Sequence, residues 1–241
     1  RRTCCQEGLQ VAEDETKLKK ECIERINEEC LKKQSEIAGK IYEELSGAKG
    51  GKVIVLEAPT GAGKTEVIAS VYLYQWLDEN WFAGRLMWVE PTHALLSQMK
   101  ERLEIYVDEL KRKPNACRAS LLRVGEDHGD VVDKAFLYAA TITLTTVDSL
   151  AYGYAAKRVQ SWVEVGIRTG RYTLPAGLIT NSLVVFDEAH LIQDEVFLGP
   201  RILSKILCSI TKAGGLAILT SATLPTELVK FLENECDTEF R

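Results

Sequence analysis

The apolar residues of this 241-residue chain follow two alternating patterns, which together predict a sheet layered with helices. Short continuous apolar runs, typical of strands buried on both faces, alternate with stretches of helical spacing. The predicted strands are 52–56, 86–89, 120–124, 141–145, 182–186 and 216–219, and the predicted helices run from 64 to about 77, over 94–110, after 146, over 203–211 and after 225. This alternation predicts an α/β domain with a mostly parallel sheet, helices on both faces and ligands at the carboxyl ends of the strands.

The first part of the chain has a different pattern. Residues 12–46 are rich in Glu and Lys, and their apolar positions are spaced by three and four. This spacing predicts an amphipathic helical region, broken near Gly39, within an N-terminal helical extension over residues 1–49. The extension either packs on the core or serves as a lid or a face for a neighbouring domain, and we favour packing.

The composition of the chain limits which partners and which cellular compartment are expected. The chain is 46% hydrophobic, with a net charge of −5 and a pI of about 5.4. Any nucleic-acid contact is therefore expected from local patches or from parts of the protein outside this sequence. No apolar stretch is long enough to span a membrane, and the first residues are not a signal peptide. Because the chain begins Arg1-Arg2 without Met, we expect it to be a piece of a protein. The lack of a membrane span and of a signal peptide favours an intracellular, cytoplasmic protein.

The seven cysteines are odd in number and irregularly spaced, which favours reduced thiols over a disulfide framework. Four of them lie near the N-terminus and lack the C-x-x-C pair typical of zinc or iron–sulfur sites. A metal site among them is therefore disfavoured. These four are Cys4, Cys5, Cys22 and Cys30.

Residues 58–65 read A-P-T-G-A-G-K-T and follow the first predicted strand directly. A glycine-rich loop between a strand and a helix leaves backbone N–H groups free to converge on phosphate oxygens. The Lys64 ammonium can reach the β- and γ-phosphates, and the Thr65 hydroxyl can bind Mg²⁺. We predict an ATP-binding loop made of Thr60, Gly61, Ala62, Gly63, Lys64 and Thr65.

Residues 187–190 read D-E-A-H and follow the apolar run 182–186. Two carboxylates at the end of a buried strand suit a magnesium ion and an attacking water. We predict that Asp187 shares Mg²⁺ with Thr65, and that Glu188 orients or deprotonates the water. The predicted catalytic residues are Lys64, Asp187 and Glu188. The alternative is a polar strand end that caps the next helix.

Three further strand ends are rich in hydroxyl groups: P-T-H at 91–93, T-T-V-D-S at 145–149 and T-S-A-T-L-P at 220–225. Each can offer O–H groups and helix N-terminal N–H groups to a phosphate backbone. Taken alone, each is also an ordinary helix cap. Their order around the two ATP motifs is what predicts nucleic-acid contact.

In this order the segments resemble the motif succession of a superfamily 2 DExH-type helicase. Within that superfamily the chain is similar to the CRISPR-associated type I effector helicase, through T-T-V-D-S-L at 145–150, F-D-E-A-H-L-I-Q-D-E at 186–195 and L-T-S-A-T-L-P at 219–225. The resemblance covers residues 50–233 and implies that 50–241 form the first RecA-like lobe of the enzyme. We expect the second lobe, with its arginine finger, and the HD nuclease to lie outside this sequence. The segment His128-Gly129-Asp130 is not an H-D pair and is expected in a loop.

The resemblance implies an ATP-dependent translocase or helicase that uses ATP and Mg²⁺ and unwinds target DNA for an associated HD nuclease. Its implied partners are single-stranded DNA, the nuclease domain or subunit and a CRISPR surveillance complex. The family also implies that three residues couple the ATP site to the strand, namely His190, Ser221 and Thr223. Three others would lie along the strand, namely Pro91, Thr92 and Thr146. Without the second lobe, little ATPase activity is expected from these residues alone.

Three other functions remain open. An RNA-directed DEAH helicase shares the ATP motifs. A nucleotide-binding scaffold that recruits a nuclease would not need Glu188. A P-loop NTPase of another branch is disfavoured by the S-A-T segment.

Two contacts also remain open. Residues 166–175 are either a loop that contacts phosphate or a base, or a solvated connector. No F-x-x-P-T-x-I-Q run is present to bind adenine; Gln34 is the nearest candidate, although we expect a surface glutamine.

Overall fold

The computed structural model describes residues 17–113, 116–129, 131–133, 138–155, 173–192 and 198–241. Within them, seven strands form one sheet: β1 Lys52–Glu57, β2 Leu86–Glu90, β3 Val124–His128, β4 Val131–Asp133, β5 Ile142–Thr146, β6 Leu183–Phe186 and β7 Leu216–Ser221. The α-helices are α1 Lys17–Ser46, α2 Lys64–Asp78, α3 His93–Lys111, α4 Val147–Tyr154, α5 Leu174–Thr180, α6 Leu198–Lys212 and α7 Thr226–Cys236.

The strand order is β1-β7-β6-β2-β5-β3-β4. Every neighbouring pair from β1 to β3 is parallel, and only the short β4 runs antiparallel, against β3. The carboxyl ends of six strands therefore share one edge of the sheet. This arrangement confirms the prediction of a mostly parallel sheet.

The sheet is buried on both faces by helices. Successive side chains of each strand point to opposite sides and therefore pack with different helices. Along β6, Leu183 and Val185 pack with α1, α2 and α3, whereas Val184 and Phe186 pack with α4 to α7. All four side chains are fully buried. Each such side chain contributes roughly 1.5–3 kcal/mol through burial, which explains why this strand reads as a continuous apolar run.

Helix α1 packs on the core, as favoured from the sequence. Ile41 and Leu45 are buried in the same cluster as the apolar face of α2. The predicted break near Gly39 is wrong, since α1 runs without interruption from Lys17 to Ser46. A single glycine costs a helix only about 1 kcal/mol, which the packing of the following turns offsets.

The strand predicted over 120–124 is also wrong. A 3₁₀ helix occupies Cys117–Leu121, and β3 begins at Val124. Ala119 and Leu122 are both buried, at the spacing of a helical turn rather than of a strand. His128, expected in a loop, is the last residue of β3. Helix α5 and strand β4 were not predicted.

A disulfide joins Cys208 on α6 to Cys236 on α7, with the two Cα atoms 4.5 Å apart. The expectation of reduced thiols is therefore wrong for this pair. The two helices pack side by side and bring two sequence-distant cysteines together, which spacing alone does not reveal. Among the described residues, no three His, Cys, Asp or Glu side chains are grouped so as to hold a metal ion, and no helix is long and apolar enough to cross a membrane.

Candidate nucleotide and nucleic-acid site

The strand order divides the predicted site residues between two halves of one edge. The phosphate-binding loop follows β1, the S-A-T segment follows β7 and the D-E-A-H segment follows β6, and these three strands are neighbours. The P-T-H and T-T-V-D-S segments follow β2 and β5, which are the next two strands along the sheet. The predicted ATP residues and the predicted strand-contacting residues are thus adjacent but separate.

The phosphate-binding loop has the backbone that its glycines predict. Gly61 and Gly63 have φ values of 80° and 83°, in the left-handed region that a side chain disfavours. Gly63 is also the N-cap of α2, and no side chain caps this helix end. The first N–H groups of α2 are therefore oriented as a phosphate site requires. Thr60 lies in this loop and Thr65 in the first turn of α2.

Lys64 is 9% exposed, so its ammonium group must be paired. Nζ donates a hydrogen bond to the Ala58 carbonyl at 2.9 Å and lies 3.3 Å from Oε1 of Glu188. The loop lysine and the D-E-A-H glutamate, 124 positions apart in the sequence, are therefore in contact. A γ-phosphate would compete with Glu188 for the same ammonium.

Asp187 is buried at the end of β6, where its backbone N–H donates to the Val89 carbonyl of β2. Within the described residues, its side chain accepts hydrogen bonds from Thr220 Oγ1 and from the Glu188 N–H, and both go to Oδ1. Oδ2 is therefore the oxygen that can reach a metal ion. Carboxylate and hydroxyl oxygens such as those of Asp187 and Thr65 are the kind of donors that Mg²⁺ takes.

A chain of polar contacts leads from Glu188 to the S-A-T segment. Oε2 of Glu188 lies 3.3 Å from Nδ1 of His190, and the same Nδ1 lies 2.9 Å from Oγ of Ser221. Ser221 Oγ donates to the Thr223 carbonyl at 2.8 Å, so His190 Nδ1 carries the hydrogen that is shared with Ser221 and Glu188. The structure thus brings His190, Ser221 and Thr223 into one network, and their coupling role stays a prediction.

The S-A-T segment is also tied to the phosphate-binding loop. The Ala58 N–H donates to the Ser221 carbonyl at 3.1 Å, and the Leu224 N–H donates to Oε1 of Glu57 at 3.1 Å. Glu57 ends β1 directly before the loop. Sequence reasoning missed Glu57, whose only signal is an acidic residue closing an apolar strand.

The predicted strand-contacting residues lie at two neighbouring strand ends. Pro91 and Thr92 join β2 to α3, and Thr146 ends β5 and caps α4 by accepting a hydrogen bond from the Ser149 N–H. Thr92 is exposed at the start of α3 and its side chain makes no capping bond. Both strand ends therefore present helix N-termini at the same edge.

Gln34 is not the surface glutamine that we expected. Its Nε2 donates to the Ala62 carbonyl at 3.1 Å, and a Cβ added to Gly63 would lie only 2.2 Å from the same atom. The side chain of Gln34 therefore fills the space that the missing side chain of Gly63 leaves. The contact places α1 against the phosphate-binding loop.

Glu90 is a second residue that the sequence did not single out. It ends β2, is 2% exposed and accepts a hydrogen bond from Trp88 Nε1 at 2.9 Å. Burial, followed by the nearby charge of Asp187, raises the pKa of Glu90 to about 7, against the Trp88 hydrogen bond. An acidic residue at the end of an otherwise apolar strand is the signal that could have identified it.

Some predictions fall outside the described residues. These are the acidic positions Asp194 and Glu195, most of the 166–175 stretch, Asp130, and the cysteines Cys4 and Cys5.

These features define a P-loop ATPase domain, in which a buried lysine faces a carboxylate pair at the edge of a parallel sheet. Residues 34–231 match the DEAD/DEAH box helicase family. This match covers most of the chain, and the chain therefore belongs to that family.

The chain is 47% identical to the CRISPR-associated helicase Cas3 of Thermoproteus tenax over 207 residues, which are 86% of this chain and 35% of that relative. It thus spans about a third of the length of its curated relative. Among solved structures, it is similar to T. fusca Cas3-ATP, with a TM-score of 0.59, 19% identity and coverage of 84% of this chain and 22% of the other. It is also similar to the DEAD-box helicase Mss116 bound to ssRNA and UDP-BeF, with a TM-score of 0.54, 19% identity and coverage of 85% and 38%. These likenesses confirm the α/β RecA-like helicase fold.

Proposed function

We propose that this chain is the ATP-binding lobe of a CRISPR-associated helicase, which hydrolyses ATP with Mg²⁺ to translocate along single-stranded DNA. The contact chain from Lys64 through Glu188 and His190 to Ser221 carries the proposal. It connects the groups that would hold the γ-phosphate to the segment that follows β7. The likeness to the Thermoproteus tenax Cas3 helicase supports the CRISPR assignment.

The phosphates of ATP bind to the N–H groups of residues 60–65 and to the Lys64 ammonium. Thr65 and Asp187 would hold Mg²⁺, which would supply positive charge to offset the negative charge that develops during transfer. When Lys64 turns to the phosphate, its 3.3 Å contact with Glu188 is given up. Glu188 is then available to orient the attacking water or accept its proton.

The same event is transmitted through His190. Because His190 Nδ1 shares its hydrogen between Glu188 and Ser221, a movement of Glu188 changes the hydrogen bonding of the S-A-T segment. That segment is bonded to Glu57 and to the phosphate-binding loop. The coupling role of His190, Ser221 and Thr223 rests on this network.

Pro91, Thr92 and Thr146 would lie along the bound strand, at the strand ends next to the ATP half of the edge. The N-termini of α3 and α4 supply backbone N–H groups for its phosphates. These contacts are few, so we expect the lobe alone to bind weakly and with a shallow salt dependence. Little ATPase is expected from it alone, because an arginine finger is worth roughly 10³–10⁵ in rate in related phosphoryl transfer.

The proposed partners are an HD nuclease domain or subunit and a CRISPR surveillance complex, in the cytoplasm. The likeness to the CRISPR-associated helicase Cas3 supports an association with a CRISPR system. The nuclease would cut the strand that the helicase exposes.

A translocation assay tests the proposed activity. The full-length protein is loaded on biotinylated single-stranded DNA or RNA that carries streptavidin at one end, and ATP is added. We expect streptavidin displacement from DNA and not from RNA. Displacement from RNA alone would make the protein an RNA helicase. No displacement from either, with ATP binding intact, would favour a nucleotide-binding scaffold.

A further inference from the structure

Two histidines are in contact on the half of the edge that the ATP residues leave free. His93 is the first residue of α3 and His128 is the last residue of β3. Their Nδ1 atoms lie 2.9 Å apart, and the ring centroids are 4.8 Å apart. Because β5 lies between β2 and β3, this histidine pair spans the carboxyl end of β5, which is Thr146.

The distance between the two Nδ1 atoms determines how protons can be arranged on the pair. Two imidazole nitrogens that share one hydrogen must act as one donor and one acceptor. In the neutral pair, the donating ring has a bare Nε2, so only one of the two rings carries an Nε2–H. One added proton gives both rings an Nε2–H and gives the pair a positive charge. N–H donors with positive charge are the groups that bind a phosphodiester most strongly.

The surroundings decide which ring takes the added proton. His128 is 8% exposed, and burial, followed by the charge of His93, lowers its pKa. Lys100 acts in the same direction, whereas Glu126 and Asp127 oppose it. Lys100 and Glu126 are themselves paired at 3.1 Å, so their charges largely cancel. The surroundings therefore disfavour a positive charge on His128, and His93 is the exposed ring of the pair.

The position of His93 in α3 links this proton to a bound anion. A positive charge is unfavourable in the first turn of a helix, where the backbone N–H groups carry partial positive charge. A phosphate is favourable at the same place, and the Thr92 side chain does not cap this helix end. A phosphate that bound there would offset the cost of a positive charge on the pair, so each would strengthen the other.

The neighbouring loops form one surface with the histidine pair. Ser149 Oγ accepts hydrogen bonds from the Gly129 N–H at 3.2 Å and from Thr146 Oγ1 at 3.1 Å. The His93 ring lies beside Gly129, since a Cβ added to that glycine would be 3.5 Å from His93 Cε1. The segments that follow β2, β3 and β5 thus meet at the pair.

We propose that His93 and His128 form a phosphodiester contact for the bound single strand, and that this contact strengthens when the pair takes up a proton. This inference rests on the proposed function, because it needs a strand that passes over Thr92 and Thr146. It adds to that function a proton-dependent step in strand binding.

The salt dependence of strand binding tests the inference. The affinity of the full-length protein for a fluorescent oligothymidylate is measured by anisotropy, over a range of salt, at about pH 6 and about pH 8. A phosphate contact with a single strand adds about −0.7 to the slope of log affinity against log salt. We expect the wild-type slope to be steeper by about that amount at the lower pH. His93→Gln keeps a donor and an acceptor but cannot gain a proton, so its slope should not change with pH.

Lys113→Gln is the matched control, because it removes an exposed positive charge two residues beyond the far end of α3. This variant should keep the wild-type increment between the two pH values. The inference is overturned if the wild-type slope is independent of pH, or if His93→Gln retains the increment, which would assign it to another group such as His190. Binding with a pH-independent slope would leave the proposed function standing. A protein that binds ATP but neither DNA nor RNA strands would overturn both.

Discussion

The ammonium group of Lys64 lies 3.3 Å from the carboxylate of Glu188, so the lysine proposed to bind phosphate and the glutamate proposed to orient water form an ion pair. Both side chains are largely buried, at 8% and 24% exposure. ATP must therefore replace one partner of a partly desolvated ion pair. In the proposed mechanism this exchange frees Glu188 when the phosphate arrives, which would tie its availability for chemistry to the presence of substrate.

Glu188→Gln should abolish most hydrolysis and leave ATP binding intact or tighter. A general base contributes roughly 10²–10⁴ in rate, and glutamine also competes less than a carboxylate for Lys64. Phosphate release measures the first effect and calorimetry the second, with exposed Glu109→Gln on α3 as the control. Hydrolysis within a few fold of the wild-type rate would remove Glu188 from the reaction.

Gln34→Ala should weaken nucleotide binding roughly three- to tenfold, because one hydrogen bond contributes about 0.5–1.5 kcal/mol. The reason is that Gln34 holds the Ala62 carbonyl and fills the space beside Gly63. Calorimetric titration with a non-hydrolysable ATP analogue measures the change. Glu36→Gln, exposed two residues further along α1, serves as the control. Equal affinities for Gln34→Ala and this control would show that α1 does not support the loop.

Glu90→Gln should stabilise the protein at high pH and not at low pH. The pKa of Glu90 is raised from 4.5 to about 7 by burial and by the charge of Asp187, so folding favours its protonated form. The stability that comes from this group is complete below its unfolded pKa and is lost as the pH rises through its folded pKa. A shift of this size corresponds to about 3 kcal/mol.

Thermal unfolding without Mg²⁺ or nucleotide checks the Glu90 prediction. At about pH 8 the variant should unfold roughly 5–10 °C above the wild type, and at about pH 5 the two should nearly coincide. The glutamine keeps an oxygen for the Trp88 Nε1 hydrogen bond. An equal difference at both pH values would mean that titration of Glu90 is not the cause.

Ser221→Ala should uncouple strand movement from hydrolysis. It removes the hydroxyl that contacts His190 Nδ1 at 2.9 Å and donates to the Thr223 carbonyl. The number of base pairs unwound per ATP hydrolysed should fall, whereas Ser70→Ala, exposed on α2, should leave this ratio unchanged. An unaltered ratio in Ser221→Ala would argue that the coupling takes another route.

The residues at strand ends could be predicted because each motif is set by local backbone geometry. Gly61, Gly63 and Lys64 lie between a buried strand and a helix, so their pattern determines both the turn and the chemistry. The parallel sheet then brings the ends of β1, β7 and β6 together, which places Asp187 and Ser221 beside the loop without further information.

What could not be predicted depends on contacts between distant residues. The β3 residues Glu126 and His128 are polar, yet both are buried because Lys100 and His93 on α3 pair with them. A strand of such residues has no apolar pattern. The strand predicted over 120–124 therefore begins before β3, which starts at Val124. Gln34 likewise gains its role only when α1 packs against α2, 28 residues before its partner Ala62.

Steady-state ATPase of the full-length protein, measured without nucleic acid, with single-stranded DNA and with single-stranded RNA, tests the central claim most directly. The contact chain from Lys64 to Ser221 joins the groups proposed to hold the γ-phosphate to the S-A-T segment, which we propose responds to the bound strand. We therefore predict stimulation by DNA and none by RNA. Stimulation by RNA alone, or by neither strand, would contradict the account.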